Sequence, residues 1–462
     1  MCMAYPTNVP TLQIRYHERL CLSNTTRRRD RKCPRCVPFG RKVGGVEMSV
    51  RGSALLSPLK GTAFRRLWAG ASLSMLADQA FLVSLTWLVL RITESGASLG
   101  VVLAVASVPG IVLTPLGGVL SDKLSPVVVM SSASIVRAVL MGLLALLVLT
   151  DAVRIWHVYL LAGGLSALDA LYYPASMSVV PTLVDRDRLK AANALTQGVE
   201  QISSILGPAL AGLVLALFGL WINLGANAVL FLISAAIFAA LARTVAPGAR
   251  TFDGGETGGA EDGANTLSAL AEGVRYAWGD PVIRTIMLVL VGINLAMAGP
   301  IYVGGSLLSE ARLGGAGAFG TLLAVGGVGS LIGAMTAGSI ERLRRRGIVE
   351  LVSTAVMGAG VGALAFAPNL AVACFLAASI GMTASFLAVV NISWLQERSA
   401  PGLTGRVMSL AMFSAIALDP ISYVLAGLLV ELSLSIVFLA AGGLLLFTAL
   451  VGAMSRTMRT VD

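Results

Sequence analysis

Twelve apolar runs, each about twenty residues long, follow one another from Phe64 to Met454, and they restrict the possible folds more than any other feature. They fall at roughly 66–90, 98–120, 127–149, 157–180, 194–218, 221–241, 283–304, 316–339, 348–366, 370–392, 407–430 and 434–454. Wound as a helix rising ~1.5 Å per residue, a run of that length spans the hydrocarbon core of a bilayer. None alternates apolar with polar residues as a barrel strand does, so each must satisfy its backbone hydrogen bonds internally, as a helix. With 56% hydrophobic and 13% charged residues, the composition excludes an ordinary soluble domain.

Basic residues set the expected orientation. After residue 50, twenty Lys/Arg fall on the side that also holds the N-terminal tail, against three, Arg91, Arg154 and Arg312, on the other. That asymmetry places both termini on the cytoplasmic side, with the chain crossing the membrane as a multi-pass protein. One polar interruption, 243–281, divides the runs six and six. Its Gly- and acid-rich part, Pro247 to Asn265, reads as a flexible linker, and Leu267–Trp278 reads as a short amphipathic surface helix. The expected organisation is a basic tail (1–60), a six-helix bundle (61–242), a cytoplasmic linker (243–281), a second bundle (282–455) and a short cytoplasmic tail (456–462). The halves echo each other: Gly207-Pro208 in span five and Asp419-Pro420 in span eleven lie at similar depth, and Gly118 and Gly338 each precede an acid–base pair. The fold class is therefore all-α integral membrane protein, with twelve transmembrane helices in two pseudo-symmetric bundles.

The net charge of +10 does not point to nucleic acid, because residues 1–50 alone contribute +7 from ten Lys/Arg against Glu18, Asp30 and Glu47. That tail has no apolar core of a signal peptide, and Met48 is an expected alternative start. Cys33-Pro-Arg-Cys36 has no second Cys-x-x-Cys or histidine pair to complete a zinc site, so no metal and no cofactor is expected. Two enzyme-like strings are decoys. Gly315-Ala-Gly317-Ala-Phe-Gly320 spells a dinucleotide fingerprint but opens an apolar run with no strand before it. Gly96-Ala-Ser98-Leu-Gly100 spells a nucleophile elbow, yet His157 is the only histidine after the tail. No phosphate loop occurs, which argues against ATP as an energy source, and the chain is not expected to be an enzyme.

Ionisable residues inside apolar runs carry the functional signal, since each costs about 2.5–3.5 kcal/mol at mid-membrane and must pair or line water. Asp78 in span one, Arg137 in span three, Asp169 in span four and Asp419 in span eleven all fall near the midplane, and Glu200 is shallower. Asp78, Arg137 and Asp169 form either a structural ion-pair cluster or a proton-coupling site. In the second reading a desolvated carboxyl takes up a proton facing one side and releases it facing the other. Asp78 is the first choice as carrier, Asp169 the second, with Arg137 tuning the acid it touches.

Several motifs resemble one family. Gly118 followed by Asp122 and Lys123 is similar to the loop 2–3 signature of the major facilitator superfamily, although Ser125 and Pro126 replace its later glycine and arginine. Gly207-Pro208-Ala-Leu-Ala-Gly212 resembles the span-five signature of that superfamily's drug/proton antiporters; a Gly-Pro pair bends a helix, and the small residues let it pack closely. Phe64-Arg-Arg-Leu-Trp68, Leu168-Asp169-Ala-Leu-Tyr-Tyr-Pro174-Ala175 and Ala192-Asn193-Ala194-Leu195 look like its enterobactin-exporter and macrolide-efflux-like branch. So do Gln396-Glu-Arg398 and Gly405-Arg-Val-Met-Ser409. The resemblance implies proton-driven export of small, partly hydrophobic molecules by two bundles rocking about a central cavity, in a protein acting as a monomer. It implies a protein of the bacterial inner membrane with Asp78, Asp169, Tyr172, Asn294 and Asn391 as cavity-lining residues; Asp419, beside a proline that frees backbone carbonyls, either contacts substrate or caps that break. Gly118, Asp122, Lys123, Glu341, Arg342, Gly405 and Arg406 would be conformational loop motifs. Uptake of a nutrient by symport fits the same spacing, and the resemblance also admits flipping of lysophospholipid, as in related transporters.

Overall fold

A computed structural model describes residues 56–123, 125–185, 188–244, 275, 278–340, 345–399, 407–408, 410–411, 413–414 and 417–454. Six helices make the first half: α1 (Thr62–Thr93), α2 (Gly96–Lys123), α3 (Pro126–Leu149), α4 (Ile155–Leu183), α5 (Leu189–Phe218) and α6 (Leu220–Ala242). The second half opens with α7, which runs as Pro281–Gly299 and then continues through Pro300–Gly304, Gly305–Leu308 and Ser309–Leu313. It goes on with α8 (Ala316–Ser339), α9 (Arg346–Leu364), α10 (Leu370–Arg398), α11 (Asp419–Leu432) and α12 (Leu434–Met454). Ten of these are long and apolar enough to cross a membrane. The other two are α4, which carries Asp169 and two internal prolines, and α11, of which fourteen residues form the described helix. Large apolar side chains face outward along the helices, among them Leu217, Phe375 and Phe447, each more than 60% exposed. Such a surface suits lipid and not water.

Three local features depart from the sequence expectation. Helix α7 extends nine residues past 304 to Leu313, because a wide π turn over Pro300–Gly304 absorbs Pro300 without ending the helix, and a second π turn, Ser309–Leu313, completes it. The Gly299 N–H freed there donates to Ser422 Oγ at 2.8 Å, and Ser422 in turn donates to the Leu295 carbonyl at 2.7 Å. Helix α2 runs through Asp122 and Lys123, which were expected in a loop; the backbone at Gly118, Asp122 and Lys123 is helical, and their side chains lie outside the described residues. Asp419 does not sit in the middle of a continuous span. A turn at Ala417–Leu418 precedes it and α11 starts there, since Pro420 lacks an N–H and its fixed φ suits a first helical turn. Pro208, by contrast, lies inside an unbroken α5, so the Gly-Pro and Asp-Pro echo is not structural. Glu341, Arg342, Gly405, Arg406, Cys33, Cys36 and most of the linker lie outside the described residues.

Within the first half α3 packs on α6, α2 on α4, and α1 on α5 and α6; within the second α8 packs on α10, α9 on α12, and α7 on α11 and α12. Buried hydroxyls tie these apolar faces together, as where Ser234 Oγ donates to the Gly70 carbonyl at 2.9 Å and Asn223 Nδ2 donates to Ser84 Oγ at 2.8 Å. The halves meet along two seams, α2–α11 and α5–α8. Glycine makes both possible. A Cβ at Gly100 would meet the Tyr423 carbonyl and Gly427, and one at Gly320 would meet the Pro208 carbonyl and Gly212. Both seams close at the end holding Gly96, Phe218, Ala316 and Leu432. There Glu431 of α11 accepts from Ser95 Oγ at 2.9 Å and from the Ala97 N–H at 3.1 Å, at the start of α2.

Candidate functional site

The buried face of α3 repeats at Met130, Ser134, Arg137, Met141, Leu144 and Val148, so Arg137 occupies a core position and its guanidinium lies inside the first bundle. It is 1% exposed. Its Nη2 pairs with Asp169 Oδ1 of α4, and its Nη1 lies 3.5 Å from Asp78 Oδ2 and 3.2 Å from Ser74 Oγ, both of α1. The Tyr172 ring lies 4.6 Å and the Phe231 ring 5.6 Å from the guanidinium carbon. Aromatic faces and carboxylates therefore surround the cation, which replaces much of its lost hydration.

The structure thus brings together the three ionisable residues picked out in the sequence. Their exposure differs: the Asp78 side chain is 36% and the Asp169 side chain 50% exposed, with the arginine hidden behind them. Asp169 begins an accessible stripe along α4 that continues through Tyr173 and Met177. Two carboxyls and one guanidinium carry a net charge of −1 when all are ionised and zero when one acid holds a proton.

A central cavity of about 330 Å³ opens between the halves. Gln79, Ser204, Tyr302 and Ser330 supply its polar groups, and its wall is otherwise made of residues such as Phe319, Leu323, Ile380 and Phe438. Among the described residues, this wall holds no carboxyl and no basic side chain. None of the residues expected at the substrate cavity is on it. Tyr172 is 4% exposed and packs on Arg137 and Phe238, because it lies on the buried face of α4. Asn294, partly buried, donates to its own helix at the Leu290 carbonyl, 2.8 Å away. Asp419 is partly buried at the start of α11. Asn391 is fully buried in α10 and donates to a residue that sequence reasoning missed, Glu350 of α9, at 3.0 Å. Glu350 lies five residues from the basic Arg345 and so resembles a solvated helix-end charge; its only signal was its place inside an apolar run.

Gly207 and Gly212, read as close-packing positions, each meet a different neighbour. A Cβ on Gly207 would strike Gln79 of α1, and one on Gly212 would press on Ala316 and Gly320 of α8. Among the described residues no cluster of His, Cys, Asp and Glu has the geometry of a metal site.

Comparison with known proteins agrees with this architecture. The multidrug efflux pump Tap of Mycolicibacterium fortuitum is 26% identical over 426 residues, covering 88% of this chain and 97% of Tap. Macrolide efflux protein A of Streptococcus pyogenes is 23% identical over 418 residues, covering 86% and 97%. Among solved structures, the nucleoside transporter NupG superposes with a TM-score of 0.67 at 14% identity, over 87% of this chain and all of NupG. A bacterial homologue of the iron transporter ferroportin gives 0.64 at 17%, over 85% and 99%. At these identities the structures speak for the fold alone. Residues 67–418 match the sequence model of the Major Facilitator Superfamily, and the chain is a membrane transporter belonging to that superfamily.

Proposed function

We propose that this transporter exports small, partly hydrophobic molecules from the bacterial cytoplasm across the inner membrane in exchange for protons, working as a monomer by alternating access. The observation that carries the reading is the arrangement of Asp78, Arg137 and Asp169. One buried cation cannot neutralise two carboxylates, so a proton on one acid removes the excess charge from a low-dielectric site. Asp169 holds the guanidinium directly and is the standing partner. Asp78, more distant from the cation, is the acid that takes up and gives up the proton. The cavity supports the cargo class, since an apolar wall with a few hydroxyl and amide groups suits lipophilic molecules of low charge. The efflux pumps among the relatives support the direction of transport.

With the N-terminus in the cytoplasm, the closed end of both seams is the outer one, and the described conformation is open inward. Everted membrane vesicles energised by respiration test the coupling. Addition of a transported compound should release protons in the wild type. Asp78→Asn should lose that exchange while folding normally, and undiminished proton exchange in this variant would overturn the assignment.

A further inference from the structure

The second half buries an acid that the proposed coupling site does not use. Glu350 and Asn391 are each 0% exposed, on α9 and α10. Asn391 Nδ2 donates to Glu350 Oε1 at 3.0 Å, while Glu350 Oε2 and Asn391 Oδ1 have no hydrogen-bond partner. Two buried acceptors on one pair, with no donor between them, lack a single hydrogen. A carboxylic acid and a primary amide form a cyclic pair of two hydrogen bonds, and the first is in place. A proton on Oε2 makes the second, from the acid O–H to the amide oxygen, and satisfies both atoms at once.

Among the described residues, no charged group nearby supplies an alternative. Arg346, one turn before Glu350 on α9, pairs with Glu397 of α10. Arg398 of α10 pairs with Asp280 at the start of α7. Arg284 and Arg345 lie on exposed surface, and α12, which packs on α9, carries no ionisable residue. An ionised Glu350 would be a bare charge in an apolar interior, which burial strongly disfavours.

We propose that Glu350 is a proton-binding site of the C-terminal bundle, closed by Asn391 and separate from the Arg137 cluster. The Glu350 site adds a second proton position to the one proposed at Asp78, and its own occupancy does not depend on that assignment. Infrared spectroscopy of the purified protein in lipid bilayers at neutral pH tests it. Glu350→Gln, which keeps an amide pair and the fold, should lose one carbonyl band of a protonated carboxyl. In the wild type that band should shift on transfer to heavy water. Asn391→Leu should move it to the position of an acid without hydrogen bonds. Asp78→Asn removes only its own signal, so the two sites are read independently. If wild type and Glu350→Gln have the same protonated-acid bands and differ only in the carboxylate region, Glu350 is ionised and the proposal fails.

Discussion

The first half buries a cation and leaves its two acids partly exposed, whereas the second buries an acid with an amide and, among the described residues, no cation. The helix pairs correspond, α3 with α9 and α4 with α10, but the polar groups do not sit at matching depths. Arg137 is the twelfth residue of α3 and Glu350 the fifth of α9; Asp169 is the fifteenth of α4 and Asn391 the twenty-second of α10. Because paired helices run in opposite directions, both shifts bring the second pair toward the same end, by about 10 Å at ~1.5 Å per residue. The scaffold repeats while its polar contents have moved two turns. A repeat of this kind fixes where helices pack and leaves free what they bury.

The sharpest test of that contrast is to neutralise one acid in each half. Asp169→Asn removes the direct partner of a guanidinium that is 1% exposed and leaves it Asp78, 3.5 Å away, as counter-ion, so the lost charged hydrogen bond should cost about 1.5–3 kcal/mol. Glu350→Gln exchanges an acid–amide pair for an amide–amide pair of the same shape, which should cost under about 1 kcal/mol. Thermal unfolding in detergent should show a large fall in midpoint for the first and almost none for the second. Equal falls would mean that the two halves bury charge in the same way.

The sequence showed the first site and hid the second for a physical reason. Asp78, Arg137 and Asp169 lie about ten residues from any loop, where an ionisable group has no solvated explanation. Glu350 lies in the first turns of α9 beside Arg345 and Arg346, where solvation is the ordinary expectation, and only packing of that turn against Asn391 reveals its burial. Glycine spacing pointed to close helix contact at Gly207 and Gly212 but carried no information about the neighbour, which is α1 in one case and α8 in the other. The Asp-Pro at 419 gave a break without saying whether a helix bends there or begins. Pro300 gave no sign that α7 continues past it, because Ser422, the side chain that takes up the backbone groups freed there, comes from another helix.

Where the halves meet, glycine rather than charge sets the approach, and the next test acts there. A valine at Gly320 would place its Cβ against the backbone of Pro208 and Gly212, which cannot give way as a flexible side chain can. Overpacking of this kind costs about 1–3 kcal/mol. Borne only by the conformation in which α5 and α8 touch, that cost shifts its population about 5- to 150-fold. A single cysteine introduced at the closed end of the seam should become more reactive to a membrane-impermeant thiol reagent in Gly320→Val. Unchanged reactivity would show that the contact does not report on the conformational equilibrium.

The smallest expected effect returns to the halves themselves, at the end opposite the closed seams. There the first half ties α1 to α5 with a neutral bond, Trp68 Nε1 to the Leu195 carbonyl at 3.4 Å. The second ties α10 to the start of α7 with a charge, Arg398 Nε to Asp280 Oδ2 at 3.0 Å. Asp280 Oδ1 also accepts from the Val282 N–H at 2.8 Å as the cap of α7. Partial burial pushes the Asp280 carboxyl up, but the bond from Arg398 and the two cap N–H groups outweigh it and hold it below the usual carboxylate range. A group lowered on folding stabilises above its unfolded value, near ~3.9, and loses that contribution as pH falls through the folded value. Asp280→Ala should therefore cost about 0.5–2 kcal/mol at neutral pH, with the gap to wild type closing below pH ~4 and narrowing in salt. Trp68→Phe should cost less, by an amount that does not change with pH. If both gaps follow pH alike, the difference between a charged tie and a neutral one is not what distinguishes the two ends.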